Sequence, residues 1–399
     1  MTDEYLLRKN QSPLVISFSS VFLLIACAIA SPLLAFYLAI ILLALINIAE
    51  TPLRVMIGTV AVLAGSAIYS SRVIGFSTAD DFYNTYLPTY SIIAHGGDVF
   101  APYYTGGIEF GLPVYFKLFS PLVTNGDYYI FFYIITAINF FAYYLWVEVY
   151  LFKKVVFEKK SLCAACALCF FILSVQSQLM RQTCSTVFIL WALAFFDSRK
   201  WLKGVLFTGV AAIFHTSAIP IVIIFCIYLY GKKYMKNCML ATLILASVAF
   251  ISVMDIILKY NLLAAATYKF NFYQTTTIDG LDVSAYWKFL VPLFILSFFF
   301  FSKEKEHDKY KSLLRYGTLS YIALMPIPFA ADRIMMPMTN YILGVLVFMT
   351  LYKVSGPLRG VICLYSVYKF LTLGPFYNGY GVDPFYIWYS YPWYNNLLG

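Results

Sequence analysis

The chain has 399 residues, of which 62% are hydrophobic, 20% aromatic and only 12% charged, with mean hydropathy +0.78. A soluble globular domain carries about 25% charged residues, so this composition excludes a soluble enzyme and describes an all-α polytopic integral membrane protein. The net charge of +9 does not point to nucleic acid. Most Lys and Arg residues fall in short segments between apolar runs, where orientation of the chain in the bilayer accounts for them.

The first twelve residues are polar and carry Arg8 and Lys9. The apolar run after them lacks a small-residue cleavage site and passes directly into further spans, so it is read as a first span and not a removed signal peptide. A helix needs about 20 apolar residues to cross a bilayer. On that measure spans are expected near 14–31, 32–50, 54–71, 128–150, 161–179, 183–197, 204–218, 219–231, 238–258, 285–301, 316–331, 337–352 and 359–375. That makes about thirteen transmembrane helices in a single integral membrane domain, 1–399.

The stretch Phe110 to Val123 decides the threading. If it crosses, the cluster Lys153, Lys154, Lys159 and Lys160 lands outside, against the positive-inside rule. Pro113, Lys117 and Pro121 interrupt it, which suits an interfacial or re-entrant helix. With that choice the later basic clusters all lie inside. The N-terminus is then cytoplasmic, the C-terminus is outside, and the outer face carries the loop 72–127, the loop 259–284 and the aromatic tail 376–399.

Eight cysteines lie within apolar runs. The spacing Cys163, Cys166, Cys169 matches some metal motifs, but inside a helix reading CAACALCFF it lines small residues along one stripe and suits close helix packing.

On the expected outer face, Arg72, Arg181 and Arg333 each end an apolar run without a lysine cluster beside them. Snorkelling to headgroups is the ordinary explanation of an interfacial arginine, yet it does not select Arg over Lys. A guanidinium offers a planar fork that binds phosphate oxygens bidentately, so these arginines are candidates for an anionic lipid headgroup, diphosphate above all. Near them stand Asp80, Asp81, Tyr83 and Tyr86 after Arg72, Glu109 before the interfacial helix, Gln182 beside Arg181, His215 at an outer turn, and Asp332 and Tyr341 around Arg333. His215, Asp80, Asp81 and Glu109 are the candidate proton acceptors, His215 first because its unperturbed pKa of about 6.5 suits base work near neutrality. Capping of a helix start for Glu109, a solvated loop for Asp80 and Asp81, and self-compensation for the Asp332–Arg333 pair are the plainer readings. The outer tyrosines and tryptophans suit an interface belt and also stacking on sugar rings. No Gly-rich phosphate loop, nucleophile elbow or zinc spacing is present, so no cofactor or metal is expected, and the leaving group of the donor must supply the driving force.

The order Arg72, Asp80-Asp81, Glu109-x-Gly111, Arg181-Gln182, Phe214-His215-x-Ser217-Ala218, Asp332-Arg333 resembles the EpsG-like branch of bacterial Wzy-type polysaccharide polymerases, over about residues 70 to 345. The family usually has Glu-Arg where this chain has Asp332-Arg333. The resemblance implies a glycosyltransferase-C-like inner-membrane enzyme. Such an enzyme joins undecaprenyl-diphosphate-linked oligosaccharide repeat units at the periplasmic face, with a repeat-unit flippase and a chain-length regulator as partners. Arg72, Arg181, Gln182, Arg333, Tyr83, Tyr86 and Tyr341 would then bind substrate. The alternatives are a glycosyltransferase or ligase that uses a polyprenyl-linked donor and transfers once, and a transporter or flippase of the same lipid-linked saccharide. The transporter reading calls for mid-membrane charges and matched halves, neither of which the sequence displays.

The threading is tested by introducing a cysteine beside Lys159. Membrane-impermeant thiol reagent applied from the periplasm is expected not to label it, and efficient labelling would overturn the orientation.

Overall fold

A computed structural model describes residues 18–48, 51–70, 75, 80–122, 128–171, 178–260, 286–327 and 329–373. Among these residues every regular element is helical. The α-helices are α1 (Phe18–Ala30), α2 (Pro32–Leu45), α3 (Thr51–Ser70), α4 (Leu87–Ala94), α5 (Gly111–Phe119), α6 (Tyr128–Val149), α7 (Lys160–Cys169) and α8 (Met180–Asp197). They continue with α9 (Trp201–Phe214), α10 (Ala218–Tyr230), α11 (Lys233–Tyr260), α12 (Trp287–Leu296), α13 (Asp308–Leu324), α14 (Ala330–Ile334), α15 (Leu343–Thr350) and α16 (Ser355–Leu373).

A helix stands at every expected span, but many are shorter than the apolar run they occupy. Helix α7 stops at Cys169, where Phe170 takes over as its C-cap. Helix α12 is ten residues long and contains Pro292, whose missing N–H removes a ladder bond. The expected span 337–352 is broken into a π-helical turn, Pro337–Tyr341, and the eight-residue α15. Among the described residues, Thr51–Ser70 and Tyr129–Lys154 are long and apolar enough to cross a membrane, and Leu343–Thr350 with Tyr352–Leu373 would add a third span. The protein is therefore a helical membrane protein in which, among the described residues, two or three helices have the length and apolarity of a crossing. Helix α5 has nine residues, about 14 Å at the α-helical rise, which is under half of a hydrocarbon core of about 30 Å.

The chain packs as two compact units, one of Met1–Ala101, Pro113–Met180 and Ser355–Gly399, the other of Pro102–Leu112 and Arg181–Val354. In the first unit α2 and α3 pack on one another, α3 on α6, and α2 on both α7 and α16. All of Ser161 to Leu168 is buried in α7, so the small-residue stripe with Cys163 and Cys166 lies in a helix contact. The Ser161 hydroxyl bonds the Leu43 carbonyl at 2.7 Å where α2 ends.

Helices α3 and α6 come close because Gly58 has no side chain. A Cβ there would stand 2.1 Å from Tyr144 Cζ. The Tyr144 hydroxyl donates to Glu148 Oε1 at 2.7 Å. Arg54 grips the same carboxylate bidentately, Nε to Oε1 at 2.9 Å and Nη2 to Oε2 at 2.8 Å. Both side chains are closed to solvent, 2% and 5% exposed.

In the second unit α13 is the central helix, packed by α10, α11, α12, α14 and α15. It begins at Asp308, well before the apolar run expected at 316–331. An aspartate in the first turn favours the helix N-terminus, so the charged segment before the run is helical too. The Lys309 ammonium donates to Asp197 at 2.6 Å, tying the start of α13 to the end of α8.

Removing one partner of the closed Arg54–Glu148 pair leaves a buried charge without its counterion, at a cost of about 3–5 kcal/mol. Arg54→Ala is expected to lower the melting midpoint of the detergent-solubilised protein well below that of the double variant Arg54→Met with Glu148→Leu. Equal midpoints would show that the pair does not bind the helices together.

Candidate functional site

The sequence motifs after residue 100 meet in the second unit, and Glu109 is their centre. Its carboxylate is 1% exposed although it lies in the loop before α5. Gly111 lets this loop lie against α9, since a Cβ there would stand 2.9 Å from the Phe214 ring. Oε2 accepts from Arg181 Nη1 at 2.5 Å. Oε1 accepts from the Thr216 backbone N–H and from the Thr216 hydroxyl, each at 2.8 Å. Burial alone would raise the carboxyl pKa. The Thr216 N–H, the charges of His215 and Arg181, and the Thr216 hydroxyl outweigh it and hold the group below its usual value. Glu109 is therefore an ionised, fully engaged acceptor. It does not cap α5.

Arg181 opens α8 and keeps 24% of its side chain exposed. Its guanidinium carbon stands 4.5 Å over the Tyr104 ring. The carboxylate on one side and the aromatic face on the other fix the planar group in place. His215 caps the C-terminus of α9 in extended conformation. Its Nδ1 lies 3.5 Å from Glu109 Oε1, accepts the Ser217 backbone N–H at 3.3 Å, and has the Ser217 hydroxyl at 3.1 Å. With Nδ1 accepting, the neutral ring carries its proton on Nε2, a tautomer assigned from this bonding. A protonated ring also carries one there.

Gln182 follows Arg181 and donates from Nε2 to the Arg333 carbonyl. Arg333 and Asp332 lie on the short helix α14, which starts after Phe329 in the left-handed region at φ 60. That conformation costs a non-glycine residue about 1–3 kcal/mol. The Arg333 guanidinium carbon stands 5.7 Å over the Phe329 ring. Asp332 Oδ1 accepts the Tyr321 hydroxyl of α13 at 2.5 Å. The Asp332 carboxyl is pushed up to about 6 by burial, against the lowering influence of Tyr321 and Arg333. Tyr341 is completely buried, and its hydroxyl donates to the Thr183 carbonyl at 2.9 Å.

The remaining residues singled out by the sequence lie in the first unit. Asp80 is buried, and its carboxylate accepts three backbone N–H groups, from Gly75 at 3.1 Å, Phe82 at 3.1 Å and Tyr83 at 3.4 Å. Its Oδ1 thus receives the N–H groups of the first two residues of the π-helical turn Phe82–Tyr86, whose N-cap position is Asp81. The Asp81 N–H donates to the Gln178 side chain at 3.0 Å. Tyr83 is half exposed, while Tyr86 is buried. Arg72, the loop residues 261–284 and the tail 376–399 lie outside the described residues. Among the described residues no three His, Cys, Asp or Glu side chains gather as a metal site. Thr216 and Tyr104 belong to this cluster although the sequence does not single them out. The run Phe-His-Thr-Ser at a helix end was the signal, since a hydroxyl there can serve a carboxylate arriving from elsewhere.

A sequence model of the EpsG family matches residues 55–393, and the chain belongs to that family. No curated protein and no solved structure matches it.

Because the folded pKa of Glu109 is depressed, its stabilising contribution is full above the ordinary carboxyl value of 4.5 and fades as pH falls through the lowered value. Wild type and Glu109→Gln are expected to differ in melting midpoint at pH 7 and to converge as the pH falls from the ordinary carboxyl value of 4.5 through the lowered one. A gap that persists unchanged in acid would mean that the charge of Glu109 is not what holds the loop.

Proposed function

We propose that this EpsG-family membrane protein polymerises oligosaccharide repeat units linked to undecaprenyl diphosphate, by glycosyl transfer at the periplasmic face of the inner membrane. Family membership places the chain in polysaccharide biosynthesis. What carries the finer reading is the convergence of Glu109, Arg181-Gln182, His215-Thr216-Ser217 and Asp332-Arg333 on one connected polar cluster. The thirteen-span threading, the glycosyltransferase-C-like architecture, and the flippase and chain-length regulator as partners belong to the same reading.

In this reading Arg181 and Arg333 hold the diphosphate of the donor and stabilise the charge that grows as the anomeric carbon–oxygen bond breaks. Arg181 suits the task because it is held by Glu109 and Tyr104 yet still reaches solvent. A guanidinium fixed before the reaction needs no reorganisation when the leaving group develops its charge. Glu109 acts as the positioning residue for Arg181 and for the turn that carries His215. The His215 Nε2–H is a second donor for a phosphate oxygen or a sugar hydroxyl. Arg72 is assigned to the same diphosphate on its sequence position alone. Among the first-unit residues, Tyr83 has exposed ring surface for a sugar, and Asp81 is kept as a contact to the incoming unit.

The reading is tested on polymer ladders from cells in which the chain is the sole polymerase. Arg181→Ala is expected to abolish the ladder. Arg181→Lys, which keeps the charge and loses the fork, is expected to reduce polymer about tenfold or more. A wild-type ladder from Arg181→Ala would remove the diphosphate role. A single added unit in place of a ladder from the unsubstituted protein would identify a one-step transferase.

A further inference from the structure

We propose that Asp332 is the proton acceptor of the transfer, taking the hydroxyl proton of the incoming sugar on its Oδ2 atom. This rests on the polymerase reading and adds to it the one group that reading leaves without an occupant. Forming a glycosidic bond from a hydroxyl requires a base within hydrogen-bond reach of the attacking oxygen.

The carboxylates near the motifs differ in what their oxygens already do. Glu109 accepts three hydrogen bonds from cationic and neutral donors, is almost wholly buried, and is held in its ionised form. Asp80 accepts three backbone N–H groups and belongs to the other unit. Asp332 has one oxygen anchored, Oδ1 to the Tyr321 hydroxyl at 2.5 Å, and among the described residues no hydrogen bond reaches Oδ2. The Tyr321 oxygen in turn accepts the Tyr286 N–H at 3.3 Å, so the anchor is itself fixed. His215 already engages Nδ1 with the Ser217 N–H, so in that tautomer its other nitrogen carries the proton and the ring is no acceptor. One half-buried carboxylate thus combines a locked orientation with an oxygen still able to receive a proton.

Its surroundings favour that task. The groups facing it are Tyr321 from α13 and Arg333 on its own helix, and burial outweighs both, so its proton affinity rises toward neutrality. A base is most effective when its affinity lies near the working pH. Its neighbour Arg333 is held through the carbonyl by Gln182, the residue after Arg181, so base and diphosphate-binding arginines share one scaffold. In the step, the hydroxyl oxygen of the incoming sugar bonds to the anomeric carbon of the donor. The bond from that carbon to the diphosphate breaks, and its electron pair leaves with the diphosphate. The hydroxyl proton passes to Asp332 and from there to water.

The test uses full-length protein in membranes, supplied with the lipid-linked oligosaccharide extracted from its host, and undecaprenyl diphosphate as the binding probe. Asp332→Asn is expected to slow polymer formation about 100-fold or more with the Kd for undecaprenyl diphosphate unchanged, and Asp332→Glu to recover part of the rate. Tyr321→Phe removes a hydrogen bond that lowers the carboxyl pKa, so the acid limb of kcat/KM is expected to move to higher pH. Wild-type turnover in Asp332→Asn, loss of probe binding together with turnover, or an unmoved acid limb in Tyr321→Phe overturns the assignment. If the unsubstituted protein forms no polymer, the polymerase reading falls and the base falls with it. If it polymerises alongside an active Asp332→Asn, only the base falls.

Discussion

A carboxylate taken out of water must be met by donors, and in the second unit that requirement falls on Glu109. Burial penalises its charge, and only the combined pull of the Thr216 N–H, His215, Arg181 and the Thr216 hydroxyl keeps it ionised. Each donor comes from a different stretch of chain from the acceptor. Satisfying one side chain therefore fixes the loop before α5, the first turn of α8 and the turn between α9 and α10 with respect to one another. Through Gln182 the same network reaches the carbonyl of Arg333 and the strained start of α14.

Two ion pairs, Arg54–Glu148 and Glu109–Arg181, solve a similar problem with opposite outcomes. Arg54 and Glu148 bury each other, share a bidentate contact and are sealed by Tyr144. Such a pair has nothing left to offer a ligand and holds α3 to α6. In the Glu109–Arg181 pair only the carboxylate is sealed, and the guanidinium keeps about a quarter of its surface open. A cation that is positioned by its counterion and still reachable can trade part of that contact for a second anion.

Much of this was legible in the chain itself, for identifiable reasons. Apolar runs report helices because a backbone in lipid must satisfy itself, and a helix stands at each expected run. Their ends were less legible. Hydropathy does not register Asp308 as a helix start or the π-helical turn at Pro337–Tyr341, because both depend on backbone hydrogen bonding and not on apolarity. The isolated arginines and the histidine turn stood out as costly residues in apolar surroundings, and the structure gathers Arg181, His215 and Glu109 in one cluster. Thr216 carried no cost of its own in the sequence, since a threonine at a helix end is ordinary until a carboxylate arrives beside it. Tyr341 looked like a sugar platform from its position, and instead its hydroxyl is spent on the Thr183 carbonyl inside the packing.

The two bonds that Thr216 makes to one carboxylate oxygen have a consequence for how such a chain can change over time. The backbone N–H is indifferent to the residue at position 216, but the hydroxyl is not, so serine can stand in for threonine while valine, of the same shape, strips the acid of a donor. Loss of the acid strands a partly buried guanidinium and a hydroxyl at once. Positions 109, 181 and 216 are thus tied to one another, and a change at any of them that removes the acid or a donor is felt at the other two.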